Sequence, residues 1–180
     1  YNNVRCADEL AAQLMEEAIL AAKRDQDSVG GVVQLEILGV PAGLGDPIFA
    51  KLDARLTMAM MSIPASTAAS VGDGFLQAKM RGSQSNDGMR GGQFLSNHAG
   101  GILGGISTGM PIIMKIAFKP TSSIARKQPT MDTSGNDREI QVIGRHDPCI
   151  VPRAVPVVEN MAALVILDAW EIQKRIRGDG

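Results

Sequence analysis

Between Arg81 and Gly109 the chain places nine glycines in 29 residues. Glycine makes up about 7% of an average chain, and it loses more conformational freedom on folding than any other residue. A helix of ordinary length does not survive that density. The stretch is read as tight turns and strand ends whose bare backbone another body can approach closely. Its centre, "SNHAGGILGGISTG", fits neither the dinucleotide fingerprint nor the Walker A loop, which removes the usual nucleotide readings.

Regular structure is predicted on both sides of it. Leu10, Leu14, Ala18 and Ala21 recur at helical spacing, so an amphipathic helix is expected from Asp8, its N-cap, to about Arg24. Val33, Leu35 and Ile37 alternate with polar or small neighbours and read as a half-buried strand. Asp46-Pro47 reads as the start of a helix ending near Met61, with Met58, Met60 and Met61 as core filler and Pro64 beyond its end. "MPIIMKIAFK" and "REIQVIG" read as strands. A last helix is expected from Pro152 or Pro156 to Arg177, burying Val158, Met161, Val165, Ala169, Ile172 and Ile176. Helices and strands mix without a βαβ beat, so the fold class is α+β.

Composition narrows the partners. With 180 residues, 44% of them hydrophobic, the chain has material for one domain with a core. A net charge of −1 and 3% aromatics give no field or stacking platform for nucleic acid. No apolar run approaches the ~18 residues of a membrane span, and two cysteines without ligand spacing suit a reducing cytoplasm. No metal site is expected. Charge is uneven: residues 1–78 hold 5 basic and 10 acidic side chains, whereas residues 79–180 hold 13 and 9. An anionic ligand is therefore sought in the later half.

Three motifs there could carry chemistry. Gly105 to Gly109 matches the G-x-S-x-G of a nucleophile elbow around Ser107, but an elbow requires a helix next and a strand pattern follows. A serine hydrolase is the minor alternative; a glycine-lined strand end is the plainer reading. In "KPTSSI", Lys119 ends a strand, Pro120 fixes a turn, and Thr121, Ser122 and Ser123 follow. That segment is either a surface turn or a site presenting an ammonium, hydroxyls and backbone N–H groups to a phosphate or an electron-rich ring. In "GRHDPCIVPRAVPVVENM", Pro148 and Pro152 stiffen the path beside Arg145, His146 and Asp147. Either an ion pair shapes a helix boundary here, or an arginine fork and an acceptor carboxylate serve a ligand. His98, in the glycine run, reads as a structural hydrogen bonder.

Taken in order, "DSVGGVV", "VPAGLGDPIFAKLDARL", "MSIPA", "GDGF", "SNHAGGILGGISTG", "KPTSSI" and "GRHDPCIVPRAVPVVENM" resemble the chorismate synthase family across nearly all of the chain. The resemblance implies a cytoplasmic homotetramer in the shikimate pathway. Its reaction is the anti-1,4-elimination of phosphate from 5-enolpyruvylshikimate 3-phosphate to give chorismate, dependent on reduced FMN. NADPH is the associated reductant, and the residues leave open whether the protein reduces its own flavin. By resemblance Pro64, Ala65, Gly104, Lys119, Pro120, Thr121, Ser122, Ser123 and Arg145 contact the flavin. Asp147 matches the aspartate that handles the flavin N5 proton. The implied fold is a sandwich of helices between antiparallel sheets, built in two related halves. Residues 1–180 then form the C-terminal portion of a longer chain, in keeping with a start at "YNNVRCADEL" that lacks methionine. The family's two general-acid histidines and most of its substrate arginines would lie upstream; His98 and His146 are not their equivalents. Alone, the chain is expected to be inactive, or at most a flavin-binding and assembly piece. One departure stands out: Thr67 and Ala68 occupy the place of a lysine-glycine pair.

Overall fold

A computed structural model describes residues 2–178 of the chain. Among the described residues, helices α1 (Glu9–Arg24), α2 (Leu52–Met61), α3 (Gly82–Ser85) and α4 (Val151–Arg177) alternate irregularly with nine strands. The fold is α+β, as the mixed patterns predict. The chain divides into two compact units. The first joins the residues up to Gly31 with Phe118–Val155, and the second joins Val32–Ala117 with the residues from Pro156 onward.

In the first unit, Asp8 caps α1 as expected: its carboxylate accepts from the Ala11 N–H at 2.7 Å. The helix closes with the paired bonds of a Schellman turn. The Gln26 N–H reaches the Lys23 carbonyl, the Asp27 N–H reaches that of Ala22, and Gln26 has a left-handed φ of 57°. The predicted apolar face is not the buried one. Ala12 and Ala22 are buried, whereas Leu10 and Leu14 are 69% and 60% exposed. The helix leans on its neighbours through small residues, and its leucines point away. Strands β8 (Gln128–Met131) and β9 (Asp137–Ile140) form an exposed antiparallel hairpin; "REIQVIG" does form a strand, but only its first part pairs.

In the second unit, β1 (Gly31–Ile37), β7 (Ile112–Phe118) and β2 (Ser66–Val71) form a sheet in the order β1-β7-β2; the outermost residues Gly31 and Phe118 fall in the first unit. Alternation places Val33 and Leu35 of β1 and Ile112, Met114 and Ile116 of β7 in the core. Leu52, Leu56 and Met60 of α2, four residues apart, are fully buried with them, as is Val158 of α4. Burying side chains of this size contributes about 1.5–3 kcal/mol each. The Arg55 guanidinium pairs with Asp168 and ties α2 to α4.

Helix α2 begins later than expected. Asp46 and Ala50 exchange both backbone bonds and close the chain on itself, so the first turn forms only after Lys51. Of the three methionines expected in the core only Met60 is there; Met58 and Met61 lie on the outer side of α2. Helix α4 starts at Val151, so Pro152 rather than Pro156 marks its first turn. Its buried stripe is Ala154, Val158, Ala162 and Ala169, while Ile172 and Ile176 are exposed. The glycine-rich stretch forms two antiparallel hairpins, β3 (Met89–Arg90) with β4 (Gln93–Phe94) and β5 (Ile102–Leu103) with β6 (Ile106–Ser107). Among the described residues no helix is long and apolar enough to cross a membrane.

Candidate functional site

The first unit brings two of the sequence motifs to one place through a third. The segment Asp27–Gly31 runs between the Lys119–Ser123 turn and the Arg145–Pro148 strip. Ser28 Oγ donates to the Thr121 carbonyl at 2.6 Å, and the Val29 N–H donates to the Pro148 carbonyl at 2.8 Å. A Cβ on Gly30 would stand 2.3 Å from the Phe118 carbonyl oxygen and 3.1 Å from Pro120 Cδ, so only glycine permits this approach. Sequence reasoning gave this hub no role of its own. Its partners lie 93 residues away in the case of Ser28 and Thr121, and no local pattern encodes that pairing.

The loop beyond Lys119 is then pinned along its length. Asp27 accepts from Arg126 Nη1 at 2.9 Å and from the Ser28 N–H at 2.8 Å. The Ser28 N–H, then the Arg126 guanidinium, hold the Asp27 carboxyl below the usual carboxylate range. Gln141 Nε2 adds a bond to the Ala125 carbonyl at 2.7 Å. Lys119, Pro120, Ser122 and Ser123 are exposed on this loop and Thr121 is half-buried. Thr121 Oγ1 is itself buried and has no hydrogen-bond partner among the described residues. Lys119 makes no ion pair among the described residues.

Arg145 is exposed and likewise unpaired among the described residues. With His146, Pro148, Lys23 and Asp27 it lines a cavity of about 250 Å³. The Lys119–Ser123 turn does not line that cavity. His146 Nε2 sits 2.8 Å from the Val142 carbonyl, which supports the turn when that nitrogen carries the hydrogen. The Asp147 carboxylate pairs through Oδ2 with Arg153, in the first turn of α4, and not with its near neighbour Arg145. Oδ1 of Asp147 makes no hydrogen bond among the described residues.

Pro64, Ala65 and Gly104 belong to the second unit. The Ser66 N–H closes a turn on the Ile63 carbonyl at 3.1 Å, with Pro64 second and Ala65 third at φ 68°. That is the type II pattern, and alanine there carries strain of about 1 kcal/mol that glycine would not. Gly104 and Gly105 form the two-residue turn between β5 and β6, with φ of 61° and 86°. A Cβ on Gly105 would strike Lys51, whereas one on Gly104 would meet nothing within 4 Å. Gly104 is thus the open side of that turn.

Ser107, the elbow candidate, is only 3% exposed. Its Oγ donates to the Pro41 carbonyl at 2.6 Å and accepts from the Leu44 N–H at 2.9 Å. Both hydroxyl functions serve the loop before α2, and no helix follows the serine, which removes the elbow. His98 Nδ1 lies 2.7 Å from Asp73 Oδ2, and Asp87 gathers the turn beneath it by accepting from Ser96 Oγ and the His98 and Ala99 N–H groups.

Together these features define an α+β chain whose first unit offers an anchored lysine–hydroxyl turn and a free arginine, a setting for an anionic ligand. Residues 1–170 match the family model described as chorismate synthase. The chorismate synthase of Porphyromonas gingivalis is 52% identical over 172 residues, 93% of this chain and 47% of that protein. The chorismate synthase of Methanosarcina acetivorans is 53% identical over 170 residues, 92% of this chain and 47% of that protein. A crystal structure of chorismate synthase superposes with a TM-score of 0.69 at 33% identity, covering 88% of this chain and 42% of that one. The chain belongs to the chorismate synthase family, and it spans about half the length of the curated relatives it matches.

Proposed function

We propose that this chain is the C-terminal portion of a chorismate synthase, the part that holds reduced FMN during conversion of 5-enolpyruvylshikimate 3-phosphate to chorismate. The single observation that carries the reading is the pinned Lys119–Ser123 turn with its unpaired ammonium and its partnerless Thr121 hydroxyl. A buried hydroxyl left without a partner costs about 1–3 kcal/mol, and the exposed hydroxyls of Ser122 and Ser123 beside it stand open to a ligand. The residues fit a cofactor that is anionic on its phosphate and, when reduced and deprotonated, on its ring.

In the elimination a ring C–O bond breaks, phosphate leaves, a proton departs from the opposite face, and a second ring double bond forms. Reduced flavin, when bound, lends electron density as phosphate leaves. Lys119 places a fixed positive charge and the hydroxyls of Thr121, Ser122 and Ser123 place donors, preorganised by the Ser28 and Arg126 contacts. Arg145 offers a planar fork to an anionic group. Pro64, Ala65 and Gly104 are assigned to the cofactor by resemblance, supported by the exposed Pro64 and the open side of Gly104. With the same resemblance come a homotetramer, a cytoplasmic setting, NADPH as reductant, and inactivity of this chain when assayed alone.

Asp147 is proposed as the acceptor for the flavin N5 proton: Arg153 holds Oδ2, and Oδ1 is left to accept. The test is a chimera in which this chain replaces the segment it matches in the P. gingivalis protein. We expect the chimera to form chorismate anaerobically with reduced FMN, and Asp147→Asn to slow single-turnover formation by about 10²–10⁴-fold. An inactive but folded chimera would contradict the family function for this chain. A fall in melting temperature, with the rate per bound flavin kept within about threefold of the parent chimera, would reduce Asp147 to an ion pair shaping the start of α4.

A further inference from the structure

A second cavity, of about 170 Å³, lies within the second unit and shares no residue with the proposed cofactor contacts. One side is the loop carrying Pro41, Ala42 and Leu44; the other is the last turns of α4, with Trp170, Gln173, Lys174 and Arg177.

The loop side is rigid. Besides the two bonds of the Ser107 hydroxyl, the Gly43 N–H donates to the Ser107 carbonyl at 2.9 Å and the Ser107 N–H donates to the Leu44 carbonyl at 2.8 Å. Four hydrogen bonds to one buried serine therefore fix Pro41, Gly43 and Leu44, and Leu44 is 2% exposed beneath them. A loop held this firmly is a preformed wall. A Cβ on Gly43, whose φ is 102°, would lie 3.3 Å from Arg177 Nη2, so the guanidinium rests close to the loop.

The helix side is cationic and aromatic. Trp170, Lys174 and Arg177 are spaced four and three apart, which puts them on one face. The Lys174 ammonium lies 5.8 Å from the Trp170 ring centroid and bonds Glu171 at 2.9 Å. Glu171 does not line the cavity. Arg177 makes no ion pair among the described residues. Among the described residues the lining thus holds two cations, one amide and no carboxylate, set against the apolar surfaces of Pro41 and Ala42 and a partly exposed indole.

We infer that this cavity binds a small carboxylate carrying a flat apolar ring, with the carboxylate on Arg177 and Lys174 and the ring between Trp170 and the Pro41–Leu44 loop. Charge alone would take any anion, but a tetrahedral oxyanion leaves the apolar walls and the indole face uncovered. A neutral ring leaves the guanidinium without its partner. The cavity shares no lining residue with the proposed cofactor contacts, so its occupancy stands or falls separately from the reading above.

Trp170 is the one tryptophan of the chain, so its emission reports this cavity directly. The probe is benzoate, with benzamide (ring without charge) and acetate (charge without ring) as comparison arms. Benzoate is expected to change the emission saturably in the millimolar range, with neither comparison compound doing so over the same concentrations. Arg177→Gln is expected to weaken the benzoate response by about tenfold or more, the loss of a charge-assisted bond. Lys174→Gln is the second variant, and circular dichroism checks the fold of each. A linear benzoate response, an equal response to benzamide, or unchanged benzoate affinity in both folded variants would overturn the proposal.

Discussion

Ser28 donates its hydroxyl hydrogen to the Thr121 carbonyl across 2.6 Å, joining the turn before β1 to the turn after β7. The bond fixes the carbonyl of a residue whose own hydroxyl is buried without a partner among the described residues. Ser28→Ala keeps the backbone and removes this tie. A net loss of about 1 kcal/mol in stability is expected from one such bond. Reduced FMN affinity of the chimera should fall several-fold with it, since the hydroxyls of Thr121 to Ser123 lose their anchor. Paired melting curves and flavin titrations check this; a loss of stability with unchanged flavin affinity would detach the Ser28 contact from the cofactor.

Ser107 carries a different kind of load. Its hydroxyl both donates and accepts inside the second unit, so Ser107→Ala leaves the Pro41 carbonyl and the Leu44 N–H short of a partner. The expected cost is about 1–3 kcal/mol, the penalty for stranding buried polar groups. A serine-directed phosphonate should leave the folded chain unlabelled. Covalent labelling at Ser107 would revive the hydrolase reading.

Asp87 predicts a pH dependence. Burial works against its ionisation most strongly. The Ser96 hydroxyl and the Ala99 and His98 N–H groups nevertheless outweigh it, and hold the carboxyl below its ordinary range. The unfolded chain therefore binds this proton at a higher pH than the folded one does. The contribution to stability is complete above the ordinary aspartate pKa of about 4 and is lost as pH falls through the lower folded value. Asp87→Asn should flatten that acid limb while lowering stability at neutral pH. Denaturant melts between about pH 2 and pH 6 test it; an unchanged acid slope would show that Asp87 does not couple to folding.

How far these features could be read from the sequence depended on range. The cap at Asp8, the alternation of Val33 and Leu35, and the β7 pattern arise between near neighbours, and they appear where expected. Asp46-Pro47 misled because Asp-Pro is a common helix opening, whereas here Asp46 and Ala50 exchange backbone bonds instead. The burial of Ala12 in place of Leu10 depends on what lies against α1, which periodicity does not specify. The candidate site shows the same division. Lys119 to Ser123 and Arg145 to Asp147 stood out as local motifs. The Ser28 and Val29 contacts that bring the two motifs together are long-range, and Arg153 as the partner of Asp147 was not anticipated beside the adjacent Arg145.

The central claim is that Lys119 meets the negative charge of reduced flavin, and an anaerobic titration of Lys119→Met in the chimera tests it most directly. Methionine preserves the length of the side chain and removes its charge. A charge-assisted contact is worth about 1.5–3 kcal/mol, or about one to two decades in affinity. Affinity for reduced FMN should drop by that factor, and affinity for oxidised FMN should drop distinctly less. Equal weakening of both redox forms, or no weakening of either, would contradict the account.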